Sequence, residues 1–219
     1  MCGRFTLTLD PGELQESLDL GPFLQMYQPR YNIAPTQPVA LVRDPETKAI
    51  ELFRWGLVPS WAKDISIGSR MINARAESVH EKPSFRNAFK SRRCLILADG
   101  FFEWSEVTPD VGKSPFYFQI DQGTPFTFAG LYEIWHSPEG DELPTCTIIT
   151  CASNDLVNKY HNRMPVILPS ALRWEWLNKD ASQTELISMM QPYPAKAMSV
   201  KEVSRAVNSP KNDGPDILA

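Results

Sequence analysis

The 219-residue chain has only four cysteines and three histidines, and no Cys-x2-Cys pair. A zinc ribbon is therefore left without its ligand spacing. No apolar run approaches the roughly 18 residues needed to cross a bilayer. The opening Met1-Cys2-Gly3-Arg4-Phe5 lacks the basic-then-apolar pattern of a secretory signal. No membrane association is expected, and a cytosolic or nucleoid location follows by default. Internal repeats and low-complexity segments are absent too, which excludes solenoids and tracts of biased composition. What is present is ordinary: 42% hydrophobic and 22% charged residues, the balance of a globular domain rather than a disordered or collagen-like chain. The length suits one domain with one sizeable core, or at most two small ones. The stretch from about 208 onward reads as a flexible terminus.

Proline is abundant, with 19 residues spread throughout, which disfavours long helices and favours short strands joined by structured loops. Residues 3–9 alternate as a first strand. Asp10-Pro11-Gly12-Glu13 reads as an N-cap, a first-turn proline and an acidic first turn, so a helix should run to about Leu18. Tyr31-Asn32-Ile33-Ala34-Pro35-Thr36 reads as a loop. Strands are expected at 38–42, 50–55, 93–97, 101–104, 116–120, 126–132 and 145–151. Helices are expected at 84–91, from Asn154 through Tyr160, at 169–178 and at 183–190. Strands outnumber helices without strict alternation. The predicted fold class is α+β, a mostly antiparallel sheet curled into a barrel-like core with peripheral helices.

Net charge is −4, yet between Arg70 and Arg93 seven basic residues face only Glu77 and Glu81, a local excess of five. A local patch is what phosphate binding needs, whatever the total; a solvated surface of scattered charges has the same composition. Cys94, Cys146 and Cys151 lie in or beside apolar, β-branched runs and read as core thiols. Cys2 has no such run around it. Once Met1 is removed, Cys2 carries an amine and a thiol on neighbouring carbons. At pH 7 roughly a tenth of such an amine is neutral and reactive. It can attack an aldehyde to give an imine, and the thiol can close on that imine as a five-membered thiazolidine. The same residue could instead serve as an N-terminal hydrolase nucleophile, or merely follow the start methionine.

Three further stretches are dense in polar groups: Asn73-Ala74-Arg75-Ala76-Glu77, Asp99-Gly100-Phe101-Phe102-Glu103-Trp104 and His161-Asn162-Arg163-Met164-Pro165. Glu103 lies between large aromatics, which should raise its pKa into the range of a general acid. His161 follows a predicted helix. Trp61, in Trp55-Gly56-Leu57-Val58-Pro59-Ser60-Trp61, has the setting of an exposed stacking residue, whereas Trp104, Trp174 and Trp176 read as core.

These blocks, with the opening Met1-Cys2-Gly3-Arg4-Phe5 and with Tyr31-Asn32-Ile33-Ala34-Pro35-Thr36, resemble the SRAP family (SOS-response-associated peptidase-like proteins). They occur in family order across residues 1 to about 169. The resemblance implies a single SRAP-like domain over 1–219. It also implies that Cys2 forms a covalent thiazolidine crosslink to abasic sites in single-stranded DNA. On that reading Glu103 transfers protons that open the sugar, His161 shuttles protons and takes part in reversal, and Asn73 positions the Cys2 amine. Arg4, Arg75 and Arg163 hold phosphates, Trp61 wedges against bases, and Arg86 on the basic helix joins the DNA-facing set. No metal or organic cofactor is needed, and the protein should act as a monomer. The alternative use of the same Cys2, Asn73, Glu103 and His161 is a peptidase or autopeptidase.

Overall fold

The computed structural model describes residues 2–108, 112–121 and 123–219. The first half of the chain forms β1 (Phe5–Leu7), α1 (Pro11–Leu18), β2 (Arg30–Ile33), β3 (Pro38–Val42), β4 (Glu51–Trp55), β5 (Asn73–Arg75) and α2 (Arg86–Ser91). Four consecutive strands follow: β6 (Arg93–Ala98), β7 (Gly100–Thr108), β8 (Gly112–Ile120) and β9 (Phe126–His136). The remainder comprises β10 (Glu142–Ala152), β11 (Arg163–Pro165), β12 (Ile167–Leu168), α3 (Arg173–Leu177), α4 (Gln183–Met189) and β13 (Met198–Glu202).

Five strands close into a ring in the order β10-β4-β3-β6-β9, with β9 pairing back onto β10. Every pairing in the ring is antiparallel except β4 with β10. Closure leaves no free edge there. The 11-residue β10 outlasts its ring partners, and at its far end it takes β5 on one side and β11 on the other. A second sheet, β13-β8-β7-β1-β2, packs against the ring. Phe5 touches Trp55 and Phe128, and Phe101 stacks on Phe118, so alternate residues of this sheet face the barrel. The intervening residues Phe102 and Tyr117 face the other way and are covered by Val203, Val207 and Ile217. Gly100 sits under the Tyr117 ring, where a Cβ would lie 2.2 Å from its hydroxyl oxygen.

The α+β architecture with a barrel core is the one expected. α1 begins as read, with the Asp10 side chain accepting from Gly12 N and Glu13 N. Local pattern misled in three places. Tyr31-Asn32-Ile33 is not loop but part of β2, because β1 pairs with it across the intervening helix. Residues 154–160 form only a short 3-10 turn at Val157–Lys159, capped by Asn154 Oδ1. The segment after 208 is not loose: Asp213 accepts from Tyr31 N and Asn32 N at 2.7 Å, and Ile217 is buried. Its anchors are carried by residues some 180 positions upstream, which no local reading of a Pro-, Asn- and Ser-rich tail would find.

Candidate functional site

The site grows from the start of β1. Phe5 pairs with Phe101, and Phe102 N donates to Arg4 O. Continuing that antiparallel register sets the residues just before β1 alongside Glu103. Glu103 shares the barrel-facing side of β7 with Phe101 and is 4% exposed. Burial pushes its carboxyl up to about 7, so at neutral pH it is poised to give or take a proton. Burial also pushes the Cys2 thiol up, and the nearby Glu103 charge acts in the same direction. Cys2 is thus fully buried like the other three thiols, rather than set apart from the core as the sequence suggested. Met1 lies outside the described residues.

Asn73 opens β5, opposite Ile148 of β10. Its Nδ2 donates to Cys2 O at 2.8 Å, while its buried Oδ1 finds no donor among the described residues. His161 lies just before β11. Its neighbour Tyr160 packs on Phe116 at 4.4 Å, and Phe116 is the cross-strand partner of Glu103. That packing brings His161 to the Glu103 side of the sheet. His161 Nδ1 lies 3.0 Å from the Arg163 amide and 3.1 Å from the Arg163 carbonyl, so it accepts from the one or donates to the other according to its tautomer. Burial lowers the His161 pKa, so the ring is neutral at pH 7.

Beside these groups lies a concave pocket of about 640 Å³ lined by Arg75, Glu77, Ser78, Lys82, His161, Asn162 and Arg163. The register of β10 explains it, since Thr150 pairs with Arg75 on one side and Pro165 on the other. Arg75 is exposed and has no ion pair among the described residues. Arg163 instead spends its fork on Glu77, with Nη2 also donating to Thr150 O, and this pairing holds the Glu77 carboxyl below its ordinary range. Sequence reasoning found Arg75, His161 and Arg163 here but gave no role to Lys82, nor to Glu77 as the partner of an arginine 86 residues away.

The other DNA-facing candidates are more scattered. Arg86 is exposed at the start of α2, and its N–H donates to Lys82 O, so it adjoins the pocket without lining it. Arg4 is half-buried, with Nη1 donating to Asn32 Oδ1 and Val207 O at 2.6 Å and the guanidinium lying over Trp104. Trp61 is 57% exposed, but its neighbour Ala62 is tied to Trp135, opposite Leu143. That is the far end of β10 from Thr150, seven residues away, or roughly 23 Å at the rise of an extended strand. The structure therefore does not bring Trp61 to Arg75 and Arg163. The basic run also shrinks. Arg92 pairs with Glu133, and the buried Arg93 donates to the carbonyls of Trp176, Phe89, Lys90 and Asn178. Both clamp helices to the barrel and offer nothing to a ligand. Trp104, read as core, is only partly buried, with Nε1 donating to Asn208 Oδ1. Among the described residues no three His, Cys, Asp or Glu side chains converge as a metal site, and no helix is long and apolar enough to cross a membrane.

The chain matches the family description "SOS response associated peptidase (SRAP)" over residues 1–210. It is 46% identical over 222 residues to the abasic site processing protein YoqW of Bacillus subtilis, spanning 100% of this chain and 99% of that one. It is 29% identical to the abasic site processing protein HMCES of Xenopus tropicalis, across all of this chain and 78% of that protein. A crystal structure of a protein from Bacteroides thetaiotaomicron superposes with a TM-score of 0.89 at 25% identity, covering 99% of this chain and 98% of that one. On sequence and fold together, the chain belongs to the SOS response associated peptidase (SRAP) family.

Proposed function

We propose that this protein acts on abasic sites in single-stranded DNA by bonding to them covalently through Cys2. The observation that carries the reading is the surroundings of Cys2: Asn73 on its carbonyl, a carboxyl that titrates near neutrality close to its thiol, and a basic pocket beside them. The relatives YoqW and HMCES are abasic site processing proteins, which supports an abasic-site substrate here.

With Met1 removed, the Cys2 amine is the first nucleophile. The orphan Oδ1 of Asn73 is an acceptor suited to hold one of its hydrogens. An abasic deoxyribose must open before it presents an aldehyde, and Glu103 is placed to move the proton between ring oxygen and hydroxyl. The amine adds to the aldehyde carbon and water leaves, giving an imine. The thiol sulfur then adds to the same carbon while its proton passes to the nitrogen. One aldehyde and one aminothiol become a thiazolidine and a water. A thiol that burial keeps protonated suits this order, since the proton is needed only at ring closure. An imine left open would favour β-elimination and strand breakage, and ring closure removes it. His161, whose pKa burial lowers, delivers a proton to the sugar oxygen when the ring reopens. Arg75 and Lys82 hold phosphates beside the lesion. Arg163 joins them by exchanging Glu77 for phosphate.

The test is incubation with an abasic single-stranded oligonucleotide followed by denaturing electrophoresis. A protein–DNA band that survives denaturation is expected. A shift that vanishes on denaturation would reduce the protein to a binding module. A shortened polypeptide product would favour the peptidase activity that the family description names.

A further inference from the structure

The C-terminal segment is attached to the first turns of the chain by an unusual density of polar contacts. Asn32 is fully buried. Its Nδ2 donates to the carbonyls of Val207, Ser209 and Asn212, and its Oδ1 accepts from Arg4 Nη1. Asp213 uses both carboxylate oxygens, Oδ1 for the successive amides of Tyr31 and Asn32 and Oδ2 for Arg30. Asn208 accepts from Trp104, the neighbour of Glu103. The contacts form one chain: Asp213 to the backbone of β2, and Asn32 of β2 to Arg4, which lies two residues from Cys2.

Burial makes these contacts consequential. A buried amide left unpaired is costly, so Asn32 and the tail hold one another in a single arrangement. Arg4 then has few places to go: Val207 O, Asn32 Oδ1 and the Trp104 face fix its guanidinium. Among the described residues, the segment ahead of β1 is also tied by Phe102 N to Arg4 O, by Asn73 to Cys2 O and by the Arg4 backbone to the Cys2 thiol.

We infer that residues 205–219 form a latch that sets Arg4, and through it the position of Cys2 relative to Glu103, with Asn32 and Asp213 as positioning residues. The inference deepens the proposed function and rests on it for its consequence in catalysis. The segment matched to the family ends at residue 210, so the Asp213 clip and the Ile217 anchor lie beyond it.

Two substitutions test the latch. Asp213→Ala removes the clip while leaving the apolar anchors Val207 and Ile217 in place. Arg4→Lys keeps the charge and removes the fork. Each should slow crosslinking at saturating abasic DNA by about 10–100-fold, the scale expected when reacting groups are misplaced by roughly 1 Å, with a much smaller change in affinity for intact single strands. Because both act along one path, the double variant should be no slower than the slower single one. Asp213→Asn keeps an acceptor for the two β2 amides and should restore most of the rate. Iodoacetamide reads the latch without DNA: Cys2 should alkylate faster in Asp213→Ala than in the parent, while Cys94 and Cys146 stay protected. Parental crosslinking and parental alkylation in Asp213→Ala, or losses that multiply in the double variant, would overturn the latch. A parent protein that fails to crosslink at all would instead sink the proposed function, and alkylation would still decide the latch.

Discussion

Replacing Glu103 by glutamine should stabilise the folded protein above neutral pH while impairing its chemistry. The carboxyl is 4% exposed, and burial raises its pKa from 4.5 to about 7. Between those two values the folded chain holds a proton that the unfolded chain has released, so stability falls as pH rises through the window. Above about 7 the whole penalty is present, and below about 4.5 none of it is. At about 1.4 kcal/mol per pKa unit, the rise from 4.5 to about 7 corresponds to on the order of 3 kcal/mol. Glutamine keeps the shape and never ionises. Urea unfolding of parent and variant at pH 4 and pH 8 isolates the difference, since titrating groups distant from Glu103 contribute equally to both proteins. The variant should gain roughly 3 kcal/mol relative to the parent on going from pH 4 to pH 8. At pH 7 it should also crosslink about 10²–10⁴-fold more slowly, the usual worth of a positioned proton donor. Parallel stability profiles for the two proteins would refute the burial argument, and parental crosslinking kinetics would remove Glu103 from the mechanism.

Three other outcomes are expected. Cys2→Ala, Cys2→Ser and any uncleaved residue placed before Cys2 should each abolish the denaturation-resistant band, and mass spectrometry of the active protein should find Met1 missing; a tagged, uncleaved protein crosslinking normally would end the thiazolidine mechanism. Arg75→Ala should weaken intact and abasic strands alike and lower the slope of log affinity against log salt by about 1, as fluorescence anisotropy would report; an effect on chemistry alone would deny Arg75 its phosphate. His161→Ala should slow both crosslinking and the release of preformed adduct to an unlabelled abasic competitor, and unchanged release would confine His161 to packing.

Much of the fold was legible because its strands announce themselves locally. β3 was read to its boundaries, an apolar run marked β6 and a β-branched run marked β10. The Asp10 cap placed α1 to the residue. What could not be read was pairing across long separations. β2 is a strand because β1 and the C-terminal segment flank it, and nothing in Tyr31-Asn32-Ile33 itself says so. The site followed the same division. Residue chemistry singled out Cys2, Asn73, Glu103 and His161, but the burial of Cys2, the capture of Arg163 by Glu77 and the diversion of Arg92 and Arg93 into structural duty are facts of packing.

The pairing of β1 with β7 has a consequence for how the protein comes into being. The strand that orders Cys2 lies nearly a hundred residues downstream of it, and the tail contacts on Arg4 lie twice as far. Contacts of such sequence separation form late, because the entropy of closing long loops must be met before they form. At physiological synthesis rates of about 5–20 residues per second, the nascent chain spends many seconds with neither Glu103 nor Asn73 beside Cys2. Under the proposed covalent mechanism, selectivity would be acquired only when the last segments dock, and conditions that delay docking, such as cold or a destabilised barrel, should leave more molecules whose Cys2 reacted with some other aldehyde before the site existed.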